Sequence, residues 1–435
     1  MNNAVRTSPK YICRTVFSPR ITDALDDSRI ILLTGIRRCG KSFLVRELIA
    51  SLKESGVEDD HIIYLDFEKI VFPEVQTQRE LKQHLSKLIT ADKKYYLFLD
   101  EVQTISGWEK TLAPLVAQGS IALCVAVSGA SYDKSGKKKL FASDWAEVKL
   151  SPLSYAEYRR VVKPVLDKQP LGLLQRAIAV QESAHTSFAS YVEKGGFPAT
   201  IFDEGLSYKT KLNDIYTSIL HHDVIRRYNI KNTELLEKII KYIFEHIGEE
   251  CSAGKLTEHF KREKYTKNLS DISSIIRYLE SAFVIVRLRM MNFVTMKIQA
   301  AHSRYYIGDH ALFHAISCTI NPARRGILEN IIVNELQRHG CEIFSGKINA
   351  HSIDFVATSS DKIFCIQTIM SDDTLEMREA KEAALSTLHE FVEIRAPLFL
   401  FVVYLDSVIE YEDRGGPLRH ISLPDFLISC AEHDR

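Results

Sequence analysis

The 435-residue sequence lacks several things, and each absence narrows its class. It has no excess of either charge sign: lysine plus arginine and aspartate plus glutamate both number 56. A general electrostatic attraction to nucleic acid is therefore missing, and any such binding has to come from a local patch. No two of its eight cysteines form a C-x-x-C pair, which argues against zinc sites and a disulfide framework and for a reducing cytoplasm. The opening residues, MNNAVRTSPKYICR, contain no apolar core of signal-peptide length. The longest apolar run, around Leu398 to Leu405, is too short for a membrane span and reads as a buried strand. Internal repeats and low-complexity stretches are absent too. What remains, 46% hydrophobic and 26% charged, is the composition of a soluble globular protein with room for about three domains.

Against that background one stretch stands out, Ile31 to Leu44, ILLTGIRRCGKSFL. Gly35, Gly40, Lys41 and Ser42 satisfy the phosphate-loop spacing G-x4-GK[ST], with an apolar run before and an amphipathic run behind. Successive backbone N–H groups at a helix N-terminus favour a polyphosphate, and glycines let the backbone come close. The expected ATP-binding set is Gly35, Ile36, Arg37, Arg38, Cys39, Gly40, Lys41, Ser42 and Phe43. Lys41 is placed to reach the β- and γ-phosphates and Ser42 to give Mg²⁺ one ligand. Cys39 reads as a small filler inside the loop.

A second apolar strand, Tyr95 to Leu99, delivers Asp100 and Glu101 to its C-terminal end, where α/β sheets gather ligand sites. Asp100 is the expected Mg²⁺ holder, and Glu101 the group that orients and deprotonates an attacking water. Ile121 to Val127 is a third buried strand, ending at Ser128. That serine either senses the γ-phosphate or merely caps the turn before Gly129. Lys137, Lys138 and Lys139 follow and read as a solvated loop or as a contact for phosphates.

GIRRCGKS, FLDEVQTISGWEKTL, VSGAS and LSPLSYAEY together resemble the AAA+ superfamily ATPases of bacteria and archaea built on a G-x-R-R-x-G-K-[ST] loop and an L-D-E-[IV]-Q motif. The similarity continues through YVEKGGFPAT, ILHHDVIRRYNIKN and IDFVATSSDKIFCIQ, and so covers nearly the whole chain. The resemblance implies ATP and Mg²⁺ as cofactors, the roles above for Lys41, Ser42, Asp100 and Glu101, and a place for Gln103 in the acidic motif. It also carries a departure: Ser143-Asp144 stands where the family has Gly-Arg. If that arginine is the finger that stabilises transition-state charge, ATP binding is better supported than fast hydrolysis, and Lys137 to Lys139 are the available substitute, though lysine lacks the planar fork.

Four segments follow from the pattern: an ATPase domain at 1–155, a helical lid or linker at 156–230, a winged helix-turn-helix at 231–315, and a restriction-endonuclease-like α/β domain at 320–435. In HHDVIRRY the consecutive His221, His222 and Asp223 radiate from a helix in different directions. They do not make a metal site, and Asp223, Arg226 and Arg227 are expected in interdomain ion pairs or at the nucleotide. Helical periodicity from Leu235, a helix starting at Ser252, a third capped by Ser270, and strands at Phe283 to Met290 and Arg304 to Ile307 make the winged helix. Its DNA reading uses Lys261, Arg262, Lys264 and Lys267 on phosphates and Arg277 on the third helix. The alternative is a protein-docking module.

The last third resembles the PD-(D/E)xK nuclease fold. Asp354 matches its first acidic position, with Glu329 and Glu335 on the preceding helix, but the third strand offers Gln367-Thr368-Ile369 where active members carry Glu-x-Lys. Glutamine is a poor Mg²⁺ ligand and isoleucine cannot replace the lysine. The sequence therefore predicts an α/β multidomain, cytoplasmic ATPase with a parallel P-loop sheet, a winged helix and an inactive nuclease-like domain, acting on double-stranded DNA or a DNA-bound protein. The alternatives are a nucleotide-gated adaptor with negligible turnover or an active metal-dependent nuclease. No membrane partner is expected, and homo-oligomerisation is open.

Overall fold

In a computed structural model that describes residues 14, 21, 30–68, 75–90, 93–117, 121–128, 145–166, 186–202, 206–265, 268–293, 295, 297–316, 324–348, 351–359, 362–391, 397–406 and 418–432, strand β1 (Ile30–Gly35) is buried at every position. That is the signature of a strand covered on both faces. The chain divides into two compact units, Met1–Gly35 with Cys39–Leu150, and Ile36–Arg38 with Ser151–Arg435.

The first unit alternates strand and helix: β1, α1 (Lys41–Glu54), β2 (Ile62–Asp66), α2 (Gln78–Leu88), β3 (Tyr95–Asp100), α3 (Trp108–Ala117), β4 (Ile121–Ser128) and β5 (Trp145–Lys149). The five strands are all parallel, in the order β2-β3-β4-β1-β5. The expected parallel α/β sheet is thus present. Helix α2 is started by its own side chains. Thr77 and Glu80 form a reciprocal capping box, and Leu81 and Leu85 go into the core. There they meet Leu97, Leu99, Leu123, Val125, Trp108 and Leu112. The strand order brings the C-terminal ends of β1, β3 and β4 side by side, with Gly35 opposite Ser128 and Asp100 opposite Ala126.

The second unit holds α4 (Tyr155–Leu166), α5 (Pro198–Phe202), α6 (Tyr208–Ile219) and a π-helical segment (Leu220–Arg226) that continues α6 without a break. Then come α7 (Thr233–Glu245), β6 (Glu250–Cys251), α8 (Ala253–Arg262), α9 (Leu269–Ser281), β7 (Ile285–Asn292), β8 (Lys297–Ile307) and the short α10 (Phe313–Ile316). The apolar face of α7, from Leu235 to Phe244, is buried as its spacing requires. Ser252 caps α8 by accepting the Lys255 N–H, but Ser270 is no cap: α9 starts at Leu269, after Asn268.

The remaining elements are α11 (Arg324–Arg338), β9 (Glu342–Ile348), β10 (His351–Thr358), β11 (Ile363–Ile369), α12 (Leu375–Phe391), β12 (Leu398–Tyr404), β13 (Leu418–Ser422) and α13 (Leu423–Glu432). All the described strands of this unit join one mixed sheet, β13-β12-β11-β10-β9-β7-β8-β6. The link is a parallel pairing of β7 with β9, Arg289 opposite Phe344. Strands expected in separate segments, 231–315 and 320–435, therefore share one hydrogen-bonded sheet, in which β7 and β9 satisfy each other's backbone groups.

Candidate nucleotide site

The loop between β1 and α1 is shaped by its glycines. Gly35, at φ 152°, leaves no room for a side chain, since a Cβ there would stand 2.1 Å from the Leu150 carbonyl oxygen. Gly40, at φ 110°, is the left-handed residue from which α1 starts. Its successor Lys41 is buried and donates from Nζ to the Gly35 carbonyl at 3.2 Å. Cys39 is fully buried and its carbonyl accepts from Arg14 at 3.3 Å. Ile36 is buried, Ser42 and Phe43 are half-buried, and Arg38 is exposed with φ at 70°.

Asp100 lies at the end of β3, 1% exposed. Its Oδ2 accepts from the Tyr64 hydroxyl at 3.1 Å, and Ser42 also hydrogen-bonds its carboxylate. Burial raises the Asp100 carboxyl above its ordinary range, Ser42 opposes that, and the neighbouring Glu101 and Asp66 carboxylates add to it. Its other oxygen, Oδ1, is buried with no hydrogen-bond partner among the described residues. A buried carboxylate oxygen left unsatisfied beside a helix N-terminus suits a hard cation, and Ser42 and Asp100 would be its oxygen donors. Glu101 follows in a left-handed conformation, φ 56°, and accepts a hydrogen bond from Gln103 Nε2. Ser128 pairs with Gly35 at the end of β4, so its backbone stands beside the loop.

Residues 27–159 match the AAA domain family. This AAA-type domain contains the loop, the Asp-Glu strand end and all five parallel strands. Residues 185–322 match a second family, a domain of unknown function. The chain is 25% identical over 409 residues to an uncharacterised protein of Haemophilus influenzae, covering 91% of this chain and 98% of the relative. It is 23% identical to an uncharacterised protein of Methanocaldococcus jannaschii, covering 81% and 78%. Among solved structures, the Walker-type ATPase of Pyrococcus abyssi aligns over 72% of this chain and 98% of its own, at 13% identity and a TM-score of 0.48.

Arg37, next to the loop's first residues, makes a contact that local spacing does not specify. Its Nε and Nη2 donate to Asp223 Oδ2 and Oδ1 at 2.9 and 3.1 Å, with both side chains buried. Asp223 therefore has an ion-pair partner, though one in the same compact unit rather than across a domain boundary, while His221 and His222 are exposed and do not converge with it.

Outside the AAA-type domain, Lys261, Arg262, Lys264 and Arg277 are exposed on α8, the turn after it, and α9. Lys267, Lys137 to Lys139 and Asp144 lie outside the described residues. In the last third, Asp354 and Glu329 do converge. Thr368 Oγ1, with one proton to give, lies 2.9 Å from Asp354 Oδ2 and 3.0 Å from Glu329 Oε1, and the Tyr306 hydroxyl donates to Glu329 Oε2. Glu335 is elsewhere, paired with Arg338 and His339. Gln367 spends its amide on the Ser352 carbonyl and the Asp354 N–H. A lysine is present at this site even so, because Lys381 of α12 brings Nζ to 3.5 Å from Asp354 Oδ2. The sequence does contain a signal for it: Lys381 shares a helix face with the buried Leu385 and Leu388.

Proposed function

We propose that this chain binds Mg-ATP at the 35–43 loop and hydrolyses it slowly, coupling the nucleotide to conformational change in a winged helix and an inactive nuclease-like domain. The observation that carries the reading is the convergence of a glycine-shaped loop, buried Lys41, and the Ser42–Asp100 pair with its unsatisfied Oδ1. Mg²⁺, which Ser42 and Asp100 would hold, would supply positive charge against the phosphates. Lys41 supplies a positive charge to the same phosphates, the loop amides hold them, and Glu101 takes a proton from the attacking water. Ser143-Asp144 in place of a glycine-arginine pair favours slow turnover.

Three helices, a short strand and the β7–β8 hairpin support the winged-helix reading, and the exposed Lys261, Arg262, Lys264 and Arg277 favour a nucleic-acid phosphate backbone as the partner. The nuclease-like domain is read as non-cleaving because Asp354 and Glu329 are satisfied internally, by Thr368, Tyr306, Lys381, Arg304 and Arg325. No helix among the described residues is long and apolar enough to cross a membrane, and the free thiols at Cys39, Cys124, Cys251 and Cys365 agree with a reducing compartment.

The deciding experiment is ATP turnover, measured with and without double- and single-stranded DNA, alongside equilibrium binding of Mg-ATP. Lys41→Ala is expected to weaken binding at least about tenfold, the effect of losing a charge-assisted contact. Unchanged affinity in that variant sinks the nucleotide reading.

A further inference from the structure

The Arg37–Asp223 pair joins positions 186 residues apart, and both belong to the second unit. A guanidinium fork bound to both carboxylate oxygens fixes orientation as well as distance, which a lysine cannot do. Its burial makes it costly to break from one side only. On the loop side, Arg37 is covalently set between Gly35 and Lys41, so anything that orders the loop backbone also sets the root of the fork.

On the other side, Asp223 sits in the middle of the π-helical segment Leu220–Arg226. A π-turn has one residue too many for the α-helical ladder, and such turns are frequent at functional sites. Five residues beyond Asp223, Tyr228 stacks face to face on Tyr278 of α9, with ring centroids 3.9 Å apart and planes 11° from parallel. Arg227 lies over the Tyr228 ring and Arg277 over the Tyr278 ring, at 5.8 and 5.5 Å. The exposed Arg277 is the α9 residue proposed above for a nucleic-acid contact.

We infer that the Arg37–Asp223 fork, the π-helical segment and the Tyr228–Tyr278 stack form one line along which the nucleotide loop controls α9. The inference rests on the nucleotide reading above and adds the route by which occupancy is reported. A nucleotide that orders the loop re-aims Arg37, Asp223 follows, and the π-helical segment passes the shift to α9 through the two stacked rings. Because binding linkage is reciprocal, a ligand held by Arg277 changes nucleotide affinity by the same factor.

Hydrogen–deuterium exchange on the full chain, with and without saturating Mg-AMPPNP, tests this. In the wild type, peptides covering 35–48 gain protection and those covering 269–281 change their exchange by about fivefold or more, the lower end of ordinary coupling. In Asp223→Asn and Tyr228→Ala the loop is still protected but the response at 269–281 disappears, whereas Tyr228→Phe, which keeps the stack, retains it. Should Asp223→Asn fail to fold, Asp223→Glu keeps the charge but displaces the carboxylate from the fork, and there too the loop is expected to stay protected while the response at 269–281 is lost. A protected loop with no wild-type change at 269–281, or a response that survives both Tyr228→Ala and the loss of the fork, overturns the inference and leaves the nucleotide reading standing. Absence of loop protection in the wild type overturns both.

Discussion

Lys381 Nζ stands 3.5 Å from Asp354 Oδ2 and donates to the Thr368 carbonyl at 2.5 Å, so helix α12 supplies a cation that strand β11 itself lacks. Here it neutralises rather than frees the carboxylate. Asp354 also accepts from the Thr368 N–H at 2.9 Å and has Arg304 at 3.8 Å. Asp354→Ala therefore strands two cations and a buried N–H, and is expected to cost about 3 kcal/mol of unfolding free energy, measured by urea titration. Plasmid incubated with wild-type protein in Mg²⁺ or Mn²⁺ is expected to stay intact. Cleavage that vanishes in Asp354→Ala would instead make the site catalytic.

On the proposed reading Glu101 and Asp100, neighbours in sequence, have different tasks, and substitutions separate them. Glu101→Gln keeps shape and removes the base, so Mg-ATP affinity should hold while turnover falls about 10²-fold or more. Asp100→Asn keeps shape and removes the anionic oxygen donor, so it should weaken nucleotide binding in Mg²⁺ more than in EDTA. If turnover is undetectable even in the wild type, the chain is a nucleotide-gated adaptor.

Gly35 and Gly56 both have positive φ, at 152° and 93°, yet only one is crowded. A methyl at Gly35 runs into the Leu150 carbonyl, whereas nothing lies within 4 Å of one at Gly56. Gly35→Ala is expected to cost about 1–3 kcal/mol more than Gly56→Ala by thermal unfolding. Equal costs would mean that the close approach of β1's end to Leu150 does not constrain the loop.

The contrast between Gly35 and Arg37 explains what is legible in the sequence. The loop residues, the Asp100–Glu101 strand end and the amphipathic α7 are specified by neighbours within a few turns, and their spacing is the information. Arg37's choice of Asp223 and β7's choice of β9 are set by packing between distant segments, which no local period encodes. The nuclease pattern looks for its lysine on β11 itself, where Ile369 is fully buried, and so passes over Lys381 on the next helix. Ser270 misleads as a cap for a related reason: capping residues are common, and Asn268, two positions earlier, occupies the cap position.

The exposed side chains of Lys261, Arg262 and Arg277 make an electrostatic prediction that does not depend on sequence specificity. If they face phosphates, replacing each with alanine lowers the slope of log affinity against log salt by about 0.9 per contact removed. Fluorescence anisotropy with a labelled duplex across a salt series reads this. An unchanged slope in the triple variant assigns α8 and α9 to protein docking.

Glu329 gives the molecule a pH dependence whose sign is fixed. Its carboxyl is pushed up to about 7 from an ordinary 4.5, by burial first and by the Asp354 carboxylate next, against Arg304, the Thr368 hydroxyl and Arg325, which favour the charged form. Tyr306 donates to it from β8, and its own hydroxyl is driven upward by the same burial. Between about 4.5 and 7 the folded protein keeps this proton while the unfolded chain releases it. The stability tied to that proton is complete below pH 4.5 and is lost as pH rises through 7. Glu329→Gln imitates the protonated group and cannot titrate. The stability of wild type relative to this variant should therefore fall by up to about 3 kcal/mol between pH 4.5 and pH 8, measured by denaturant unfolding at matched ionic strength. A difference that stays flat across that window would place Glu329 among ordinary, solvated carboxylates and contradict its burial between α11, β8 and β11.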